Sequence, residues 1–213
     1  MSDQVKLWGR KNSSNVQRVL WLLAELGVDY QRVDVGGPFG GLDTPAYRAL
    51  NPYGRIPALQ HGDVAVWESH SILRYLAATF GQPDFWPAAP AQRAAADSWL
   101  DWSLSTLQPA FVEVFGGFYR TPAAQRNEAA VAKAIERLNQ IYQFVDQQLA
   151  ERPYLVGQQL SLAEFGAGAS LHRYLHLDFA RPELPHVHAW YQRLLQRPGY
   201  AEHVALPFDE LRG

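Results

Sequence analysis

Three short runs of residues could do chemistry together. The first, Arg10-Lys11-Asn12-Ser13-Ser14-Asn15, is polar and stands between a short apolar run and an amphipathic one. Such a loop presents hydroxyls and backbone N–H groups at a helix N-terminus, where partial positive charge attracts an anion. Ser and Asn at that position also serve as ordinary helix caps. The second run, Asn51-Pro52-Tyr53-Gly54-Arg55-Ile56-Pro57, is a turn that delivers a proline to the start of a strand. A cis bond before Pro57 would turn the backbone of Ile56 outward and free its N–H and C=O to pair with an extended, peptide-like ligand. A trans proline on an edge strand is the plainer alternative. The third, Glu68-Ser69-His70-Ser71-Ile72, sets a carboxylate and a hydroxyl at the mouth of a helix. Ser69 would cap that helix while its N–H groups hold a ligand carboxylate, and Glu68 would accept from a ligand ammonium, the two partners an amino-acid headgroup needs. A cap beside a solvated Glu accounts for the same pentapeptide.

The flanking patterns say which elements must position these runs. Val5-Lys6-Leu7-Trp8 reads as a first strand, and Val16, Val19, Leu20, Leu23 and Ala24 recur at helical spacing until Gly27. Residues 30–35 alternate as a second strand and run into Gly36-Gly37-Pro38-Phe39-Gly40-Gly41, a loop. Pro57-Ala58-Leu59-Gln60 and Val64-Ala65-Val66-Trp67 flank His61-Gly62-Asp63 as a hairpin, and Ile72, Tyr75, Leu76 and Thr79 mark a helix ending at Gly81. The order β-α-β, loop, β-β-α fits a thioredoxin-like domain over residues 1–81. A proline-rich linker is expected at 82–90, and 91–213 reads as an all-α domain, so the fold class is α+β. In the second half, breaks are expected at Pro109, at Gly116-Gly117 and at Thr121-Pro122. The best-defined helix there is 123–149, with Leu138, Tyr142, Val145 and Leu149 on one face.

Composition removes several function classes. The chain of 213 residues has no Cys, so disulfides, thiolate metal sites and a cysteine nucleophile are excluded. Its formal charge of −2, with no basic run, lacks the patch that neutralises nucleic-acid phosphates. No stretch reaches the ~18 apolar residues that a membrane span requires, and Met1–Lys6 has no apolar leader, so a cytoplasmic location is expected. His172 and His176 stand four apart without a third ligand in the sequence, so no metal is expected.

Taken together, the sequence resembles the glutathione transferase superfamily, through Ser13-Ser14-Asn15-Val16-Gln17-Arg18-Val19, through Asn51–Leu59, and through Trp67-Glu68-Ser69-His70-Ser71-Ile72-Leu73-Arg74-Tyr75-Leu76. Gly157-Gln158-Gln159-Leu160-Ser161-Leu162-Ala163-Glu164 is similar to the family's capping box, with Glu in place of the usual Asp. The resemblance implies a thioredoxin-like glutathione-binding domain, a helical second domain, glutathione as cosubstrate and a homodimer. It implies that Ile56, ahead of a cis Pro57, pairs its backbone with the cysteinyl part of glutathione. Glu68 and Ser69 then hold the γ-glutamyl end, Arg55 reaches a ligand carboxylate, and Ser13 faces the sulfur, with Ser14 and Asn15 as alternates. His70 stands where some relatives carry Arg.

A thiol with a pKa of roughly 8.5 is only a few per cent ionised at pH 7, and the thiolate is the nucleophile. On this reading Ser13 donates a hydrogen bond to the sulfur and stabilises the anion. The other substrate is expected to be a small apolar electrophile lying near Phe111, Phe115, Tyr119 and His172. Glutathione-dependent peroxide or disulfide reduction, isomerisation, and a non-catalytic glutathione-binding scaffold are the alternatives.

Overall fold

The computed structural model describes residues 4–81, 85 and 87–213. The chain divides into two units, Met1–Arg93 with Pro198–Val204, and Ala94–Arg197 with Ala205–Gly213.

The first unit begins β1 (Val5–Trp8), α1 (Ser14–Leu26), β2 (Tyr30–Val33), α2 (Pro45–Leu50), β3 (Ala58–His61), β4 (Val64–Trp67) and α3 (Ser69–Phe80). The sheet order is β2-β1-β3-β4, with β1 parallel to β2 and antiparallel to β3, and β3 antiparallel to β4. Alternation places Val5 and Leu7 in the core, and the helical stripe of Val16, Val19, Leu20 and Leu23 is buried with them. α1 stops where expected: Gly27, at φ 64°, closes it with a left-handed cap whose N–H returns to Ala24.

Two expectations for this unit change. β2 ends at Val33 rather than at residue 35. The stretch read as loop contains α2, started by Thr44, whose side chain accepts from the Tyr47 N–H, and by Pro45 in the first helical position.

α4 (Pro90–Trp102), whose residues from Ala94 on belong to the second unit, is followed by a π-helical stretch Ser103–Leu107, α5 (Gln108–Val114) and a second π stretch Phe115–Arg120. Of the expected linker 82–90, residues 82–84 and 86 lie outside the described residues, and Pro90 is already helical. The breaks expected at Pro109 and at Gly116-Gly117 are absent, because the helix absorbs both by widening. The Gln108 N–H reaches back five residues to the Ser103 carbonyl just before Pro109, which has no N–H to give, and the Thr121 N–H does the same to Gly116.

α6 (Glu128–Gln148) starts five residues later than expected. After Thr121-Pro122 the chain makes only a 3-10 turn, Ala123–Gln125, and Arg126 is extended at ψ 140°. Asn127 is the true cap, accepting from the Ala130 N–H at 3.1 Å. Leu138, Tyr142, Val145 and Leu149 are buried as its spacing predicts.

α7 (Leu162–Gly168), α8 (Leu171–His176) and α9 (Pro185–Leu195) complete this unit. Ser161 and Glu164 form the expected capping box: the Ser161 side chain accepts from Ala163 N–H at 3.3 Å and Glu164 accepts from Ser161 N–H at 2.8 Å. α9 follows Leu184, which cannot cap, and Asp146 of α6 supplies the missing acceptor to the Val187 N–H at 2.8 Å.

α10 (Pro198–His203) departs from the expected division, because it packs on α1 of the first unit rather than with the helical half. The absence of a side chain on Gly199 permits it: a Cβ there would stand 3.0 Å from Ala24 Cβ and 3.1 Å from Trp21 Cδ1. Tyr200 then meets the Trp21 ring edge-on with centroids 4.9 Å apart. Among the described residues no helix is long and apolar enough to cross a membrane.

Candidate active site

Strand register gathers the three runs at one end of the sheet. Trp8 pairs with Ala58, and Ala58 with Trp67, so the next residues, Gly9, Pro57 and Glu68, stand in a row where β1 and β4 end and β3 begins. The loop carrying Ser13 leaves from Gly9, and α3 leaves from Glu68. This is the carboxyl end of β1 and β2, where open α/β sheets place ligands.

The Ile56–Pro57 bond is cis. Neither the N–H nor the C=O of Ile56 makes a hydrogen bond within the described residues. Upstream the turn is braced at several points. Tyr53 N–H donates to the Asn51 side chain at 3.0 Å, Gly54 N–H donates to the Asn51 carbonyl at 2.9 Å, and Arg48 donates to the Pro52 carbonyl at 2.8 Å. The Arg55 carbonyl accepts from Tyr47 Oη at 2.6 Å and from Asn51 Nδ2 at 2.7 Å. The Arg55 guanidinium lies over the Tyr53 ring, 5.4 Å from its centroid, and the residue is exposed.

Ser13 occupies the N-cap position of α1, with its carbonyl accepting from Val16 N–H, yet its hydroxyl makes no cap bond. The side chains of Ser13, Ser14 and Asn15 have no hydrogen-bond partner among the described residues, and Asn15 Oδ1 is buried in that state. Capping therefore does not account for this loop's hydroxyls. Neither do Glu68 and Ser69 follow the expected pattern. Glu68, not Ser69, precedes α3, and Ser69 is its first helical residue. Glu68 adopts φ 67°, the only positive φ outside glycine among the described residues. Neither side chain is hydrogen-bonded among the described residues, which leaves the carboxylate and the hydroxyl uncommitted there.

His70 turns inward and is buried. Its Nε2 meets a guanidinium nitrogen of Arg18, which ties α3 to α1 directly behind both ligand-facing ends. A guanidinium only donates, so Nε2 accepts and the ring proton is assigned to Nδ1. Burial lowers Arg18 to about 10, which still leaves it cationic at neutral pH.

The residues expected around the electrophile behave differently. Phe111, Phe115 and Tyr119 are 2%, 4% and 5% exposed. Phe111 stacks on Phe115 at 5.4 Å and Phe115 on Tyr119 at 5.0 Å, with Phe208 against both of the latter. Their ring faces are covered by one another and by the Arg173 and Arg120 guanidinium groups, so they form interior of the second unit rather than a lining. His172 joins them, hydrogen-bonded through Nδ1 to Tyr191 Oη at 2.7 Å, and burial first, then His176, pushes it down to about 4. On the same helical run Leu104 and Val112 are exposed. Among the described residues no three His, Asp or Glu side chains gather as a metal site.

Sequence reasoning missed Gly9 and Tyr47. A Cβ on Gly9 would meet Val16 and Ile56, so that glycine lets the Ser13 loop lie against the Ile56 edge. A glycine directly after a strand was the available signal. For Tyr47 there is none, because the six-residue helix carrying it is too short to show a helical stripe.

The sheet unit with its open peptide edge, joined to a helical unit, has close counterparts. The family model described as glutathione S-transferase, N-terminal domain, matches residues 12–79, and the C-terminal domain of the same family matches 100–198. Glutathione S-transferase GstB of Escherichia coli strain K12 is 33% identical over 205 residues, covering 95% of this chain and 99% of its own. Glutathione S-transferase 3 of Zea mays is 34% identical over 213 residues, covering 94% and 93%. The crystal structure of the theta class glutathione S-transferase from Xanthomonas axonopodis pv. citri, with glutathione bound, matches with a TM-score of 0.91 and 44% identity over 97% of this chain and 99% of that one. The chain belongs to the glutathione S-transferase family.

Proposed function

We propose that this chain conjugates the thiolate of glutathione to small apolar electrophiles. The observation that carries the reading is the Ile56 peptide edge: an N–H and a C=O without partners among the described residues, beside a cis proline and in line with a Glu68-Ser69 pair whose side chains are likewise uncommitted there. Such an edge accepts an extended peptide, and the carboxylate and helix N-terminus suit the ammonium and carboxylate of a γ-glutamyl group. Arg55, exposed beside the same turn, takes a ligand carboxylate.

The sulfur then lies toward the Ser13 loop. Ser13 Oγ–H donates to it and keeps its own proton, with Ser14 and Asn15 as the alternate donors. The thiol proton goes to water. With an aryl chloride the sulfur forms the new C–S bond while chloride leaves with the electron pair of the C–Cl bond. The exposed edge strand β4, with Val64 and Trp67 uncovered, supports a homodimer, which sedimentation at working concentration checks.

The test is calorimetric titration of the full chain with glutathione, followed by turnover of 1-chloro-2,4-dinitrobenzene. Saturable binding and conjugation are expected; correctly folded protein that takes up no glutathione overturns the reading.

A further inference from the structure

We infer that Tyr47 and Asn51 are positioning residues for glutathione, acting through the Arg55 carbonyl to aim the Ile56 N–H at the cysteinyl carbonyl of the ligand. The inference rests on the glutathione reading above.

The Arg55 carbonyl receives two donors, Tyr47 Oη at 2.6 Å and Asn51 Nδ2 at 2.7 Å, which occupy both lone pairs of that oxygen. The Arg55–Ile56 bond is trans, since the only cis bond among the described residues follows Ile56. In a trans peptide the C=O and N–H stand on opposite sides of one rigid plane. Holding the carbonyl toward α2 and the Asn51 turn therefore sends the Ile56 N–H the other way. That N–H has no partner among the described residues.

Both braces are themselves fixed. Tyr47 is buried in a cluster with Val35 and Ala58, and the Trp8 ring meets it edge-on at 6.2 Å. Burial pushes its hydroxyl up to about 12, so it remains a donor throughout the working range. Asn51 is also buried and uses its other end to hold the Tyr53 N–H, so the amide cannot rotate without losing two bonds. α2, short and isolated in the loop, serves to deliver Tyr47: Thr44 caps it three residues earlier.

The test is Tyr47→Phe, which keeps the ring and removes one bond. Loss of a net hydrogen bond of ~1 kcal/mol corresponds to roughly fivefold, so the KM and Kd for glutathione are expected to rise by about that factor. The KM for the electrophile and kcat at saturating glutathione should stay within about twofold. γ-Glutamylcysteamine separates positioning from general loosening, because it keeps the γ-glutamyl group and thiol but has no cysteinyl carbonyl. Its Kd should be equal for wild type and variant. As a second measurement, the Ile56 amide should be protected from hydrogen exchange in wild type saturated with glutathione, and less so in the saturated variant. Equal weakening of both ligands, or unchanged glutathione affinity together with unchanged Ile56 protection, overturns the inference. Where γ-glutamylcysteamine binds too weakly to titrate, the amide protection decides. Wild type that binds no glutathione would instead sink the parent reading, and this one with it.

Discussion

A Cβ placed on Gly9 would stand 2.6 Å from Cγ2 of Val16, a separation that side chains do not tolerate, and the backbone there has φ 148°. The same Cβ would be 3.4 Å from Ile56 Cβ, so Gly9 sits between α1 and the Ile56 edge. Gly9→Ala therefore combines a steric clash with an unfavourable φ and should cost about 2–3 kcal/mol of stability, or several degrees in Tm. Because the displaced elements carry the Ser13 loop and the Ile56 edge proposed to hold glutathione, kcat/KM for conjugation should fall by more than the loss of folded protein explains. Thermal denaturation and kinetics on the same preparation check both.

Ser13 and Asn127 occupy the same formal position, the residue before a helix, and use it oppositely. Asn127 accepts from the Ala130 N–H, whereas the Ser13 hydroxyl caps nothing. Asn127→Ala should lower stability by about 1 kcal/mol and leave conjugation unchanged. Ser13→Ala should leave Tm within a degree or so of wild type and reduce kcat/KM by roughly 10- to 100-fold, the range of a hydrogen bond to an anion. Its pH–rate profile should move to more alkaline values, since losing that donor disfavours the thiolate. Should Ser13→Ala retain full activity, the donor is Ser14 or Asn15.

How much of this was readable beforehand follows from where each signal lives. The strands, α1 and the hairpin are set by local periodicity, and the three ligand-facing runs by local chemistry, so both were legible. The same dipeptide signal gave opposite outcomes at two places. Thr44-Pro45 starts α2, but Thr121-Pro122 yields only a 3-10 turn, because Arg126 is extended and Asn127 offers a better cap. Continuity through Pro109 depends on a change of hydrogen-bond register that residue types do not announce. The return of α10 to α1 and the mutual stacking of Phe111, Phe115 and Tyr119 are tertiary contacts. An aromatic cluster at helical spacing has the same pattern whether it lines a pocket or fills a core.

Glu68 carries a conflict between stability and function. Its φ of 67° with ψ 120° suits glycine, and its side chain has no partner among the described residues to compensate. Glu68→Gly should relieve roughly 1–2 kcal/mol of backbone strain, offset in part by about 0.5–1 kcal/mol of extra unfolded-state entropy, so Tm should hold or rise slightly. Glutathione affinity should nevertheless fall, by about tenfold for a lost charge-assisted contact. Glu68→Gln, which keeps the strain and removes the charge, should lose affinity with no gain in Tm. Affinity unchanged in both variants would remove Glu68 from the proposed γ-glutamyl site.

Glu164 is expected to contribute one pH-dependent part of folding in the second unit, opposite in sign to that of His172, which burial holds at about 4. Its carboxylate accepts from Leu155 N–H at 2.6 Å, Ser161 N–H at 2.8 Å and Ser161 Oγ at 2.8 Å, and so joins the 155–161 loop to α7. Burial outweighs these donors and pushes the group up to about 7 from its ordinary 4.5. An acid raised on folding binds more protons in the native state, so its contribution is complete below about pH 4.5 and is lost as pH climbs through about 7. Between those limits wild type should lose roughly 3 kcal/mol relative to Glu164→Gln, whose neutral side chain cannot titrate. Urea unfolding of both proteins from pH 5 to 8 reads the difference. The two curves should diverge with increasing pH, and parallel curves would mean that the three donors hold the carboxylate ionised across the whole interval.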